Sequence, residues 1–267
     1  QATGPLYVSL HVDTSLSMAG EPIRNVMEQC TEMLQTVQRI EKTSLTSLAA
    51  FDTKYNQIFA DVQVQHVNFQ AISAHVMTMA AYGGGTALYD AIMQGINSVK
   101  EHYASNKAAG LNYFLAMFTD GEDNRSSHTL EAVMQALRRP GFPNFHFLVI
   151  SAGLNLASRA TLDRMVERAQ HCTHLPAEST SRSDLSRVFK RFTQMIEEIL
   201  SIRRKPHGPS VLPSILQSAA GDLNTALSNG RIIQSARRNR APSASRGRAH
   251  SPEAPQRRGR SISRRRS

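Results

Sequence analysis

Residues 6–12 (Leu-Tyr-Val-Ser-Leu-His-Val) alternate loosely between apolar and polar side chains and are rich in β formers, which predicts a buried strand. Glu21-Pro22 then opens a helix to about Glu41: proline suits the first turn, and the glutamate suits the positive end of the helix dipole. Ile23, Val26, Met27, Cys30, Met33, Leu34 and Val37 recur at helical spacing along it. Residues 46–51 and 56–59, separated by Asp52-Thr53-Lys54, read as a hairpin. Helices are expected within residues 69–79 and from Leu88 to about Tyr103, with Gly83-Gly84-Gly85 between them. Residues 111–118 form a continuous apolar run, the pattern of a strand covered on both faces. Beyond it follow a helix at 130–137, a second central strand at 145–150, a helix at 157–170 and a short strand-like run from Cys172. Leu185, Val188, Phe189, Phe192, Ile196, Ile199 and Leu200 mark one face of a final helix.

Strands alternating with helices predict an α/β fold with a doubly wound, mostly parallel central sheet flanked by helices. In such sheets ligands bind beyond the carboxyl ends of the strands, where the strand order reverses. This pattern covers residues 1–201. Residues 202–234 read as a linker, in which Leu212, Leu216, Ala219, Leu223 and Leu227 recur at helical intervals around an interrupting Gly221. That segment either packs on its own domain or frays, or serves as a short helix for a partner. From Ser235 to Ser267 arginine, serine and proline dominate, a composition too poor in apolar surface to fold, so a disordered basic tail is expected.

The formal charge of +10 changes meaning when it is divided along the chain. Residues 1–201 carry −3 and residues 202–267 carry +13, so the basicity belongs to the tail. Cys30 and Cys172 do not make a disulfide framework and read as buried thiols. No stretch is long and apolar enough to span a bilayer and no signal peptide is evident, so an intracellular location is expected. The chain begins at Gln1, which leaves open what precedes it. Asn124-Arg125-Ser126 fits the glycosylation pattern, a match that arises often by chance.

Three segments carry the chemistry. Asp13-Thr14-Ser15-Leu16-Ser17 follows the first strand and presents one carboxylate and two hydroxyls at alternate positions. Thr86 stands on the glycine-rich loop, and Asp120 ends the apolar run 111–118. Hard oxygen donors of this kind suit Mg²⁺ or Mn²⁺. Gly85, Asp90, Gly121, Glu122 and Asp123 border these positions as rim or supporting residues; Asp90 also suits the first turn of its helix as a dipole-stabilising acid.

Taken together, Asp13, Ser15, Ser17, Thr86 and Asp120 resemble the metal-ion-dependent adhesion site of von Willebrand factor type A domains, whose pattern is D-x-S-x-S, then a distant Thr, then a distant Asp. The family usually has glycine between the two serines, and this chain has Leu16, which bears on the loop's backbone conformation. The resemblance covers about residues 5–201. It implies that Ser15, Ser17 and Thr86 bind Mg²⁺ directly, with Asp13 and Asp120 acting largely through water. One position is then left for an Asp or Glu of a partner protein. It also implies that loop movement at Thr86 couples to the final helix. Secreted members often carry a disulfide across the domain ends, an arrangement that Cys30 and Cys172 do not match.

Competing chemistry finds less in the sequence. A phosphatase of the haloacid-dehalogenase type needs a second acid where this chain has Ser15; there is no P-loop and no G-x-S-x-G, so no enzymatic activity is expected. His171-Cys172-Thr173-His174 lacks a fourth ligand for zinc. The expected function is metal-dependent protein–protein interaction. The alternative is an adaptor tethered by its basic tail to RNA, DNA, chromatin or another acidic surface, with salt-dependent and sequence-indifferent binding. Ser261 and Ser263, set among arginines, are candidate phosphorylation sites that would cancel that charge.

Overall fold

The computed structural model describes residues 5–201. The linker, the basic tail, Ser261 and Ser263 lie outside the described residues. Six strands form one sheet in the order β3-β2-β1-β4-β5-β6. These are β1 (Leu6–Asp13), β2 (Leu45–Phe51), β3 (Tyr55–Gln63), β4 (Asn112–Thr119), β5 (Phe145–Ala152) and β6 (Cys172–Ala177). All neighbours run parallel except β2 and β3, which form the expected hairpin. The helices are α1 (Glu21–Ile40), α2 (Phe69–Ala81), α3 (Leu88–Ser105), α4 (Leu130–Arg138), α5 (Leu156–Val166) and α6 (Arg182–Ser201).

The sheet separates two hydrophobic cores. Leu10, Val12, Phe114 and Ile150 meet α1, α2 and α6 on one face, while Leu115, Met117, Phe147 and Val149 meet α3, α4 and α5 on the other. Every residue of β1 and β4 is buried, which accounts for the apolar runs at these positions. Strand order reverses at β1, which has β2 on one side and β4 on the other. Their carboxyl ends carry Asp13 and Asp120.

Local chemistry fixes the helix starts. Pro22 sits at the start of α1, and the side chains of Asn68, Thr129 and Asn155 accept hydrogen bonds from Ala71, Ala132 and Ser158 as caps of α2, α4 and α5. Two expectations shift. β3 runs to Gln63, and its last stretch includes Asp61 at φ 58°. α5 ends at Val166, followed by a turn at Ala169 and a positive φ at His171. Cys30 is buried, Cys172 only half-buried, and burial pushes both thiols up to about 12.

One buried polar group makes the fold sensitive to acid. His11 of β1 is enclosed, its Nε2 sharing a 2.8 Å hydrogen bond with Ser9 Oγ, and burial pushes its pKa down to about 3. The unfolded chain therefore takes up this proton first, near pH 6.5, and stability falls as pH drops from there towards 3. The expected slope is about 1.4 kcal/mol per pH unit, or about 2 kcal/mol lost by pH 5. Asp13, whose folded pKa is raised to about 6, acts in the opposite direction over part of this range. Urea denaturation between pH 5 and 6.5 should therefore show slopes that differ by about this amount between the native sequence and His11→Gln; equal slopes would refute the assignment.

Candidate metal centre

Asp13 is the last residue of β1, and its carboxylate is fully buried. Its Oδ1 accepts from the Ser15 N–H at 2.8 Å, folding the chain back so that the hydroxyls of Ser15 and Ser17 follow. Its Oδ2 accepts from Thr119 Oγ1 at 2.7 Å, which ties the ends of β1 and β4 together. Ser15 Oγ and Ser17 Oγ are 3.1 Å apart, and Ser17 Oγ donates to Asp120 Oδ1 at 2.8 Å. Asp13, Ser15, Ser17 and Asp120 are thus one connected cluster of oxygens. Among the described residues no arginine, lysine or histidine pairs with either acid. Burial pushes Asp13 up to about 6 and also raises Asp120.

Leu16 occupies a 3-10 turn, Leu16–Met18, and is absent from the residues at positive φ, so the place usually held by glycine is met without strain. Its N–H donates to the Gly84 carbonyl at 3.1 Å, docking the glycine loop on the serine loop. The approach is close. A Cβ on Gly83 would lie 1.9 Å from the Thr14 carbonyl oxygen. Asp52, in the β2–β3 turn, accepts from the Gly84 N–H at 3.0 Å.

Thr86 is buried against Gly121, the residue that follows Asp120, and is held by a residue that sequence reasoning missed. Asn124 Oδ1 accepts from the Thr86 N–H at 3.0 Å, and the Asn124 N–H donates to the Thr86 carbonyl at 3.0 Å. The sequon reading gave no hint of this role, because the clamp exists only once two distant loops meet. Gly121 packs on the threonine hydroxyl, where a Cβ would stand 2.9 Å from Thr86 Oγ1. Gly85 lies beneath Asn124 and Arg125.

The other rim acids are structural anchors. Asp90 accepts from the backbone N–H groups of Ser127 and His128 and from their side chains, at 2.7–3.2 Å, and those bonds hold it below the usual carboxylate range. Asp123 accepts from the Tyr89 N–H at 3.2 Å and from the Ser126 hydroxyl. Glu122 accepts from Asn155 Nδ2 at 2.8 Å and from the Ser158 hydroxyl. These three acids fix the β4–α4 loop to the starts of α3 and α5.

Sequence reasoning also missed a relay that runs from a buried serine to a surface acid. Ser151 Oγ lies 2.7 Å from His174 Nε2, and His174 Nδ1 lies 2.8 Å from Asp163 Oδ1. The connectivity is that of a hydrolase triad. Ser151, however, is fully buried in β5 between Thr119 and Pro176 of the neighbouring strands, with no room for a substrate. The relay ties β5, β6 and α5 together. It also occupies His174, and among the described residues no three His, Cys, Asp or Glu side chains cluster around a point that would suit an ion.

No curated protein matches the chain. The model of the von Willebrand factor type A domain matches residues 8–191. Among solved structures, a von Willebrand factor type A protein from Catenulispora acidiphila superposes with a TM-score of 0.51 at 15% identity, over 71% of this chain and 42% of that one. The pilus adhesin SpaC from Lactobacillus rhamnosus GG gives 0.59 at 13%, over 75% of this chain and 31% of that one. The D319A mutant of the PilB minor pilin from Streptococcus sanguinis gives 0.55 at 13%, over 77% and 64%. The chain spans under two thirds of each of these proteins, and at such identities the likeness is one of fold. The family model covers well over half of the chain, reaching from within β1 into α6, and so this protein belongs to the von Willebrand factor type A domain family.

Proposed function

We propose that this domain is a protein-interaction module that takes an acidic side chain of its partner through a Mg²⁺ or Mn²⁺ ion, without catalysis. The observation that carries the reading is the connected oxygen cluster of Asp13, Ser15, Ser17 and Asp120 at the sheet's carboxyl edge. Mg²⁺ takes oxygens at about 2.0–2.1 Å in an octahedron, so adjacent ligands stand about 3 Å apart. The Ser15–Ser17 separation of 3.1 Å fits that edge length, and Asp120 Oδ1, accepting from Ser17 Oγ at 2.8 Å, holds that hydroxyl in place. The donors are hydroxyls and carboxylates only, which fits a hard cation and not zinc.

Ser15, Ser17 and Thr86 would hold the ion directly, while Asp13 and Asp120 position the hydroxyls and balance the charge. When bound, the ion supplies an electrophilic position for a carboxylate oxygen. With Asp13 and Asp120 the only acids in the connected cluster and neither a direct ligand, the ion would stay attractive to a carboxylate from outside. Asn124 and Gly121 place Thr86, so Asn124→Ala is expected to weaken Mg²⁺ binding by about tenfold, as the loss of a supporting partner at a metal site commonly does. Unchanged affinity in calorimetry would remove Asn124 from the site.

The reading without catalysis rests on the sequence, which offers no phosphatase, P-loop or G-x-S-x-G motif; Ser151, though hydrogen-bonded to His174, is itself fully buried. The adaptor reading rests on residues outside those described and finds no support in the comparisons. The direct test is titration of the chain with Mg²⁺ and Mn²⁺, wild type beside Asp13→Ala, followed by capture of an Asp-bearing peptide against its Asn counterpart. Binding should need metal, Asp13 and the peptide acid together. A well-folded wild-type chain that binds no metal would overturn the proposal.

A further inference from the structure

Edge strand β3 carries a residue in a backbone conformation that most side chains avoid. Its pairing with β2 slips by one residue between Phe59 and Val62, so Ala60 and Asp61 together face Ser47, and Asp61 stands at φ 58°. This is a bulge whose left-handed position is filled by aspartate, where glycine would be free of strain. Bulges of this kind re-aim a side chain, and the strain persists only where the surroundings hold it. Here the carboxylate reaches across to α3, where Asp61 Oδ1 lies 3.5 Å from His102 Nε2.

His102 is only 6% exposed. Its ring stacks on Tyr7 of β1, with centroids 4.0 Å apart and planes at 27°, and meets Tyr113 of β4 edge-on at 5.8 Å. Nδ1 has no hydrogen-bond partner among the described residues, and Nε2 has only the long approach to Asp61. Burial pushes the ionisation of Tyr7 and Tyr113 upward, so both rings stay neutral at ordinary pH. Tyr103 stands behind Tyr113, and Lys107 lies over Tyr103, not over the imidazole. No lysine or arginine pairs with Asp61 among the described residues. A proton on His102 would therefore be a charge taken out of water, with one half-exposed carboxylate to meet it. Burial lowers the pKa of His102 from 6.5, and Asp61 opposes the shift.

The two elements joined at this contact are joined a second time. In the β2–β3 turn, Asp52 Oδ2 accepts from the Gly84 N–H at 3.0 Å and the Asp52 carbonyl accepts from the Ala87 N–H at 2.8 Å. α3 starts at the next residue, Leu88, and His102 lies about 21 Å further along it at 1.5 Å per residue. β3 and α3 are thus pinned at both ends, by Asp52 at the glycine loop and by Asp61 at His102. We propose that the Asp61–His102 contact is an acid-released latch: the neutral imidazole seats α3 against β3, and protonation loosens α3 and with it the hold on residues 83–87. The sign follows from burial. His102 takes a proton more readily outside the latch than within it, so acid favours the released state from about pH 6.5 downward. Asp61 limits the effect by favouring the charged ring. Neither residue belongs to the oxygen cluster, so the latch stands apart from the metal-dependent reading.

The test is hydrogen exchange of the full chain in EDTA between pH 7.5 and 5, corrected for the intrinsic effect of pH on exchange. It is read at the Gly84 and Ala87 N–H groups and in the last turns of α3. In the native sequence, protection there should fall by up to about tenfold per pH unit below 6.5. His102→Phe keeps a ring on Tyr7 but cannot titrate, and should lack that part of the fall. Asp61→Asn sits at a half-exposed position that asparagine tolerates at positive φ. It should move the His102 ring titration, followed by NMR, to lower pH and enlarge the loss of protection at pH 5. His11 and Asp13 titrate in all three chains, so their effects cancel in the comparison. Equal loss in the native sequence and His102→Phe, or an unmoved His102 titration in Asp61→Asn, overturns the inference. Where His102→Phe does not fold, Asp61→Asn decides alone.

Discussion

Asp13→Asn is expected to stabilise the metal-free chain while abolishing its response to Mg²⁺. A buried carboxylate with no cationic partner raises the free energy of the fold, and Asp13 is fully buried with Asp120 as a neighbouring acid. Its folded pKa of about 6 lies above the unfolded value of 3.8, so its contribution is fully present below 3.8 and is lost as pH rises through 6. At pH 7.5 in EDTA the native sequence therefore carries a charge that the substitution removes. Asparagine can keep both hydrogen bonds. Its carbonyl can accept from the Ser15 N–H, and its amide can donate to Thr119 Oγ1, which still reaches the Gly121 carbonyl at 3.1 Å as a donor. The expected gain is about 2 kcal/mol, or a Tm higher by roughly 4–8 °C for a domain of this size. In the native sequence Mg²⁺ at a hundredfold above its Kd should add about 2.7 kcal/mol, and in the variant nothing. Thermal melts of both chains, with EDTA and with Mg²⁺, decide the matter. A variant that still responds to Mg²⁺ excludes Asp13 from the site, and one that melts lower in EDTA shows that the buried charge is not a cost.

Gly83→Ala should be among the most damaging single substitutions in the domain. The added Cβ would meet the Thr14 carbonyl oxygen at 1.9 Å and the Thr14 and Ser15 carbonyl carbons at 2.9 Å. All three are backbone atoms, so no side chain can swing away. The glycine loop must lift off the serine loop, breaking the Leu16–Gly84 hydrogen bond and displacing Thr86, three residues on. Overpacking of this kind costs about 1–3 kcal/mol and more when backbone must move, so a loss of about 3 kcal/mol is expected together with the metal response. Gly84→Ala is the matched control: its Cβ would meet the movable Thr53 side chain at 3.0–3.3 Å, and the loss should stay near or below 1 kcal/mol. Urea denaturation midpoints that rank the two variants equally would contradict the role given to Gly83.

Much of the architecture was legible in the sequence because burial leaves a strong pattern. β4 and β5 are covered on both faces and show as predominantly apolar stretches, and α1 and α6 each bury one stripe at helical spacing. What escaped detection was the structure that depends on pairing. Residues 60–63 carry an aspartate and little apolar bias, yet β2 extends them as edge strand by hydrogen bonding. The end of α5 is set by a turn at Ala169 and by His171 at φ 58°, where no glycine or proline gives warning. Asp13, Ser15 and Ser17 could be found because they are close in sequence. Asn124, Thr119 and the Ser151–His174–Asp163 relay could not, since their partners come from strands and helices that only the fold makes neighbours.

The tie between Thr119 and Asp13 crosses 106 residues, and that between Ser17 and Asp120 crosses 103. A ribosome adding about 5–20 residues per second makes the serine loop on the order of ten seconds before the strand that completes it. During that interval the nascent chain carries half a site and nothing that would hold an ion in place. On the metal-dependent reading proposed above, competence for a partner would be acquired late, when β4 pairs with β1. A truncation ahead of Thr119 would yield no weakened binder. On that reading it would yield none at all.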